Sequence, residues 1–145
     1  MAALIGIDYG ARRIGIAAAD DALAVPVGVI EHTTREADLD RIAAIARERR
    51  VEAIVIGLPL LMSGDEGEQA RRTRRFGEAL ARRTGLPVRY QDERLTSFRA
   101  EADAASADVL GRRRRHVDDI AAAHILQAYI DAAPASAAAS PGTAA

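Results

Sequence analysis

The chain has 145 residues, enough for one domain with a core of sheet and helices and too few for two substantial lobes. It has no cysteine, which excludes disulfides, thiolate catalysis and cysteine-based zinc sites. No stretch is apolar enough to span a bilayer or resembles a signal peptide, so a soluble, cytoplasmic protein without membrane contact is expected. Its 20 basic residues are all arginines, yet the acids bring the formal net charge to −1, so a polyanion has to be met by a local patch and not by a global field.

The first stretch, LIGIDYGARRIGIAAA at 4–19, reads as a hairpin. Leu4, Ile5 and Ile7 form the apolar run of a strand covered on both faces, Tyr9-Gly10-Ala11 makes the turn, and Ile14, Ile16 and Ala18 alternate as a second strand. Residues 24–30 read as a third strand, with Val25, Val27 and Val29 on one face and Pro26 suggesting an exposed N–H or an irregularity. Thr34 is a plausible N-cap for a helix to about Arg50, with Leu39, Ile42, Ala43 and Ala46 as its inner stripe. The all-apolar run 53–56, followed by Gly57-Leu58-Pro59, reads as a buried parallel strand. Asp65 and Glu68 have capping-box spacing for a helix that closes with Arg82-Arg83, just before Gly85 and Pro87.

Residues 86–91 are expected to form a fifth strand with Asp92-Glu93-Arg94 at its end. Thr96 is read as the cap of a short helix to about Ala105, residues 106–115 as a mobile basic loop, and residues 117–131 as the last helix. The tail, 133–145, has too little apolar bulk to order itself, which leaves residues 1–132 as the domain. The order strand, strand, strand, helix, strand, helix, strand, helix, helix implies an α/β fold: a five-stranded mixed sheet with an antiparallel hairpin, flanked by helices.

Asp8 stands where a central strand would ordinarily be apolar. An acid beside a glycine is also a common turn residue, but a buried, unpaired carboxylate is costly and calls for a partner such as a metal ion or an arginine. On a wheel of 100° per residue from Val117, the apolar residues Ala121, Ala122, Ile125, Ala128 and Tyr129 span roughly 20° to 140°. Asp118 falls at about 100°, inside that arc, and Asp119 near 200°, at its edge. Asp118 is therefore expected to face the sheet and Asp119 to be solvated near the helix N-terminus. Asp8, Glu93 and Asp118 could then share one site, where hard divalent cations, Mg²⁺ or Mn²⁺, would keep crowded carboxylates ionised. Two such ions would support phosphodiester hydrolysis by activated water. Asp92 could replace Glu93 if the strand register slipped by one.

Four stretches then match one family: GIDYGARRIGIA at 6–17, GLPL at 57–60 with GDEGEQA at 64–70, DERLTS at 92–97, and VDDIAAAHILQAYID at 117–131. The chain resembles the pre-16S ribosomal RNA nuclease family, the YqgF-type group also described as Holliday-junction-resolvase-like, through nearly its whole length except the tail. The resemblance implies a ribonuclease H-like fold, divalent-metal dependence and a cytoplasmic role in maturing the 5′ end of 16S rRNA. By motif match it puts the family's acids on Asp8, Glu93 and Asp118. The family usually has a polar residue after GLPL, where this chain has Leu61.

Arg12 and Arg13 beside Asp8, and Arg112, Arg113, Arg114 and Arg115 before Asp118, are candidate phosphate contacts. Arg71, Arg72, Arg74 and Arg75 have the spacing of helix-face ion pairs and read as a solvated face. His32, His116 and His124 show no ligand spacing and read as surface residues, although His116 could shuttle a proton or meet phosphate. The expected partner is nucleic acid, pre-rRNA first and branched DNA second, for a monomer or weak homodimer. The competing functions are a junction-selective DNA resolvase, an ATPase of the actin-like superfamily, disfavoured by length, and a non-catalytic RNA-binding ribosome-assembly factor.

Overall fold

A computed structural model describes residues 3–94 and 113–132, with side chains from Asp118 onward in the second stretch. Five strands, β1 (Leu4–Tyr9), β2 (Arg13–Ala19), β3 (Ala24–Glu31), β4 (Ala53–Leu58) and β5 (Val88–Asp92), lie in the order β3-β2-β1-β4-β5. β1 pairs antiparallel with β2, and β2 with β3, whereas β4 runs parallel to both β1 and β5. This is the expected mixed sheet. Pro26 sits on the edge strand β3, where its missing N–H breaks no ladder on the outer side. A register shift at Ile16/Ala17 interrupts the alternation along β3, so Val25 is exposed, Val27 packs against the core and Ile30 is buried.

Two apolar clusters cover the two faces. On one, Ile5, Ile7, Ile14 and Ile56 meet Leu39, Ile42 and Ala46 of α1 (Arg35–Arg49) and Phe76 and Leu80 of α2 (Glu68–Thr84). On the other, the small side chains Ala17 and Ala19 and Val55 lie beneath Ala122, Ile125 and Leu126 of α3 (Arg113–Ala132). Period-two alternation explains the split, since neighbours along a strand point to opposite faces.

Thr34 caps α1 as its sequence suggests, its hydroxyl accepting from Ala37 N at 3.1 Å. The start of α2 differs. Gly67 is its N-cap, without a side-chain cap, while Asp65 stays in the preceding loop bonded to Ser63. Gly85 closes α2 in the left-handed region at φ 74°, where a side chain would be strained. α3 begins at Arg113, so Arg113, Arg114 and Arg115 are helical and not part of a loop. Arg112, the segment read as a helix from Thr96 and the C-terminal tail lie outside the described residues.

Candidate active site

Asp8 is the penultimate residue of β1, and Glu93 follows the last residue of β5. β4 separates the two strands, yet the carboxyl groups hydrogen-bond to each other. Two features make this possible. The backbone N–H of Glu93 donates to Leu58 O at 3.0 Å, holding the turn onto the end of β4. Gly57 leaves room above that strand: a Cβ there would stand 2.7 Å from Glu93 Oε1 and 2.5 Å from Ile125 Cδ1. The two acids therefore meet over a glycine.

The third acid approaches from the other side. Asp8 pairs with Gly15 of β2, and a Cβ on Gly15 would lie 1.9 Å from the carbonyl oxygen of Asp118. Only glycine lets the first turns of α3 rest on the sheet at this level. Asp118 reaches the same corner but is engaged by Arg13, whose Nε donates to Oδ2 at 2.8 Å. Asp119, expected to be solvated, is buried at 7% exposure. The reason lies in Leu126 and Ile130, which stand near 180° and 220° on the helical wheel and move the centre of the buried arc to about 150°. Asp118 and Asp119 then flank that centre at roughly 50° on either side, and both turn toward the sheet.

Electrostatics follow from this crowding. Burial, then repulsion by Glu93 and Asp118, pushes the Asp8 carboxyl up to about 7. Burial also raises Glu93, while its hydrogen bond with Asp8 acts in the opposite direction, so the pair as a whole holds a proton more tightly than free carboxyls do. Asp92 is different: Arg94 grips it with three side-chain contacts of 2.8–3.1 Å and holds it below the usual carboxylate range. Of the two neighbouring acids, Glu93 is thus the one available to Asp8.

An all-oxygen carboxylate set is the donor chemistry of hard divalent cations, and a cation would relieve the repulsion that raises Asp8. Asp8 and Glu93 fit such an ion. Among the described residues, however, no three His, Asp or Glu side chains gather closely enough to hold one together, because Asp118 is turned to Arg13. Residues holding the ion would be Asp8, Glu93 and, once released from Arg13, Asp118.

The remaining candidates divide. Arg12 is exposed beside the site, whereas Arg13 is committed to Asp118. Arg71 and Arg75 pair with Glu68, and Arg74 pairs with Glu66, whereas the spacing of α2 pointed to Glu68–Arg72, Arg74–Glu78 and Glu78–Arg82. His32 is half-buried and built into the fold: its Nδ1 lies 2.8 Å from Asp38 Oδ2 and its Nε2 2.8 Å from Gly10 O, fixing the β1–β2 turn. The signals that could have found these features were glycines inside two strand patterns and a buried-face position for Asp38 in α1.

Residues 2–132 match the RuvX family, described as Holliday junction resolvase. A protein of Anaeromyxobacter sp. (strain Fw109-5) named "Putative pre-16S rRNA nuclease" is 51% identical over 130 residues, covering 88% of this chain and 95% of its own. One of the same name from Picosynechococcus sp. is 41% identical over 132 residues, covering 89% and 92%. Among solved structures, T. thermophilus RuvC in complex with a Holliday junction substrate superposes with a TM-score of 0.58 at 16% identity, over 86% of this chain and 92% of RuvC. Fowlpox virus resolvase, bound to Holliday junction DNA, gives 0.51 at 9% identity, over 90% and 97%. These two likenesses identify the fold as ribonuclease H-like, and with the match over residues 2–132 the chain belongs to the RuvX family.

Proposed function

We propose that this protein is a cytoplasmic, divalent-metal-dependent nuclease that hydrolyses phosphodiester bonds in processing the 5′ end of pre-16S rRNA. The observation that carries the reading is the hydrogen-bonded pair Asp8–Glu93 at the tips of two parallel strands, with Asp8 raised to about 7. The names of the relatives supply the substrate.

In this reading Asp8, Glu93 and Asp118 hold two Mg²⁺ or Mn²⁺ ions. Bound metal supplies an activated water and neutralises charge that develops on the phosphate oxygens. The chain's own residues do the rest. Asp8 would have to be ionised to serve as a ligand, so metal affinity would rise with pH up to about 7. Arg13 releases Asp118 and becomes free to meet phosphate, as Arg12 and Arg112 to Arg115 do. No side chain has to act as a nucleophile.

The test is cleavage of a pre-16S rRNA 5′ segment with Mg²⁺, Mn²⁺, Ca²⁺ or EDTA, with the Asp8→Asn/Glu93→Gln/Asp118→Asn triple variant as control. Cleavage should require Mg²⁺ or Mn²⁺, since the looser and larger shell of Ca²⁺ positions water poorly, and the triple variant should be inert. Equal cleavage in EDTA would refute the reading. Because the family is described by Holliday junction resolution, a four-way DNA junction is assayed in parallel. Faster cleavage of the junction would make this a DNA resolvase with the same acids.

A further inference from the structure

The end of β1 has two faces, and the carboxylates use only the one toward α3. Tyr9 follows Asp8 and therefore points to the other face, toward α2, where it stacks on Phe76 at 4.2 Å. Beside it a cleft of about 140 Å³ opens between the β1–β2 turn and the first turns of α2, lined by Gly10, Ala11, His32, Gln69, Arg72 and Thr73.

The walls are fixed. His32 is held through both ring nitrogens and meets Tyr9 edge to face at 5.4 Å. Thr73 is fully buried and donates its hydroxyl to Gln69 O at 2.9 Å. Arg72 differs from its neighbours. Arg71 and Arg75 share Glu68 and Arg74 pairs with Glu66, whereas Arg72 is exposed and has no acidic partner among the described residues.

We propose that this cleft receives a backbone phosphodiester of the nucleic-acid strand, gripped by the Arg72 guanidinium and the Gln69 amide, next to the phosphate that reacts at Asp8. The inference rests on the nuclease reading and adds a substrate subsite to it. A guanidinium without a carboxylate partner is the side chain best suited to a phosphate, because its fork of N–H donors matches two phosphate oxygens. Gln69 adds amide N–H donors. The cleft, at about 140 Å³, has room for a phosphate group with some solvent. A stacked base is less suited, since the Tyr9 and His32 rings are engaged with Phe76 and with each other. Placement agrees as well: Tyr9, which lines the cleft, directly follows Asp8 on β1, so one strand crossing the tip of β1 meets both faces.

The experiment uses the full chain and an oligonucleotide that the wild type cleaves. Binding is followed in EDTA across a salt series, and steady-state cleavage in Mg²⁺, for wild type, Arg72→Ala, Gln69→Ala and the ion-paired control Arg71→Ala. Arg72→Ala should lower the slope of log affinity against log salt by about 0.7, the value of one phosphate on a single strand, and raise KM several-fold with kcat within about twofold. Gln69→Ala should raise KM without changing the slope, and Arg71→Ala should leave the slope unchanged. A single neutral methylphosphonate linkage, moved through the two nucleotides on each side of the cleavage position, should weaken wild type at one position and leave Arg72→Ala indifferent there. A wild-type slope in Arg72→Ala, an equal loss in Arg71→Ala, or the same methylphosphonate response in both proteins overturns the subsite while the nuclease reading stands. If the wild type cleaves no nucleic acid, the nuclease reading falls and the subsite falls with it.

Discussion

Arg13 and Asp118, 105 residues apart in sequence, are joined by an Nε–Oδ2 hydrogen bond of 2.8 Å that ties the start of β2 to the start of α3. The guanidinium stands where a third carboxylate would otherwise face Asp8 unneutralised. Removing it should have two opposite effects. Arg13→Ala should lower the stability of the metal-free protein by about 1 kcal/mol, as a partly exposed charged hydrogen bond is lost. It should also strengthen metal binding, because Asp118 is released and a positive charge leaves the site. Melting in EDTA and a Mg²⁺ or Mn²⁺ titration check both effects. A tenfold weaker metal affinity would mean that Arg13 orients Asp118 for the ion instead of competing with it.

The raised Asp8 carboxyl makes the metal-free fold sensitive to pH. Folding favours the protonated form, so this group's contribution is complete below pH about 4 and is lost as pH rises through about 7. The loss is on the order of a few kcal/mol, since every tenfold gain in proton affinity on folding corresponds to about 1.4 kcal/mol. Asp8→Asn keeps the shape and removes the titration. In EDTA it should melt above wild type at pH 8, and the difference should vanish near pH 4. A constant difference across that range would show that Asp8 does not carry the proton.

Much of this arrangement is legible in the chain because it is written in local chemistry. Alternating and continuous apolar runs mark all five strands, Thr34 marks a cap, and an acid at a strand tip marks Asp8. What stays hidden depends on which elements meet. A wheel that leaves Leu126 and Ile130 out of the apolar arc displaces its centre by more than half a residue step, and so puts Asp119 in solvent. The partners of Arg13 and His32 lie on other elements, and no spacing within one helix or strand encodes them. Asp65 satisfies a capping pattern, yet the loop that bonds it to Ser63 puts Gly67 at the cap instead.

Asp118 and Asp119 can be separated by substitution. Asp118→Asn should lose at least about a hundredfold in rate, roughly 2.7 kcal/mol of transition-state stabilisation. Its metal-free stability should stay within about 1 kcal/mol of wild type, because the lost Arg13 bridge and the relieved repulsion of Asp8 oppose each other. Asp119→Asn alters a buried carboxylate and should act chiefly on stability, lowering it by about 1–3 kcal/mol. Turnover in Mg²⁺ and melting in EDTA measure both. If Asp119→Asn is inert at wild-type stability and Asp118→Asn is active, the ligand on α3 is Asp119.

The two glycines under the site should differ in their tolerance of a methyl group. At Gly15 the added Cβ would fall 1.9 Å from Asp118 O and 2.4 Å from its carbonyl carbon, which are backbone atoms of a helix that cannot turn aside. α3 would have to lift from β2, moving Asp118 and breaking its bond to Arg13. Gly15→Ala should therefore destabilise by about 3 kcal/mol or more, beyond ordinary overpacking, and abolish cleavage in whatever fraction still folds. At Gly57 the nearest atoms are Ile125 Cδ1 at 2.5 Å and Glu93 Oε1 at 2.7 Å, both ends of rotatable side chains. Gly57→Ala should cost about 1–2 kcal/mol, leave the fold intact and displace Glu93 from Asp8. That variant should show weakened metal binding out of proportion to its modest loss of stability. Denaturant melts and metal titrations of the two proteins distinguish them. Equal destabilisation, with normal metal affinity in Gly57→Ala, would show that neither close approach constrains the carboxylates.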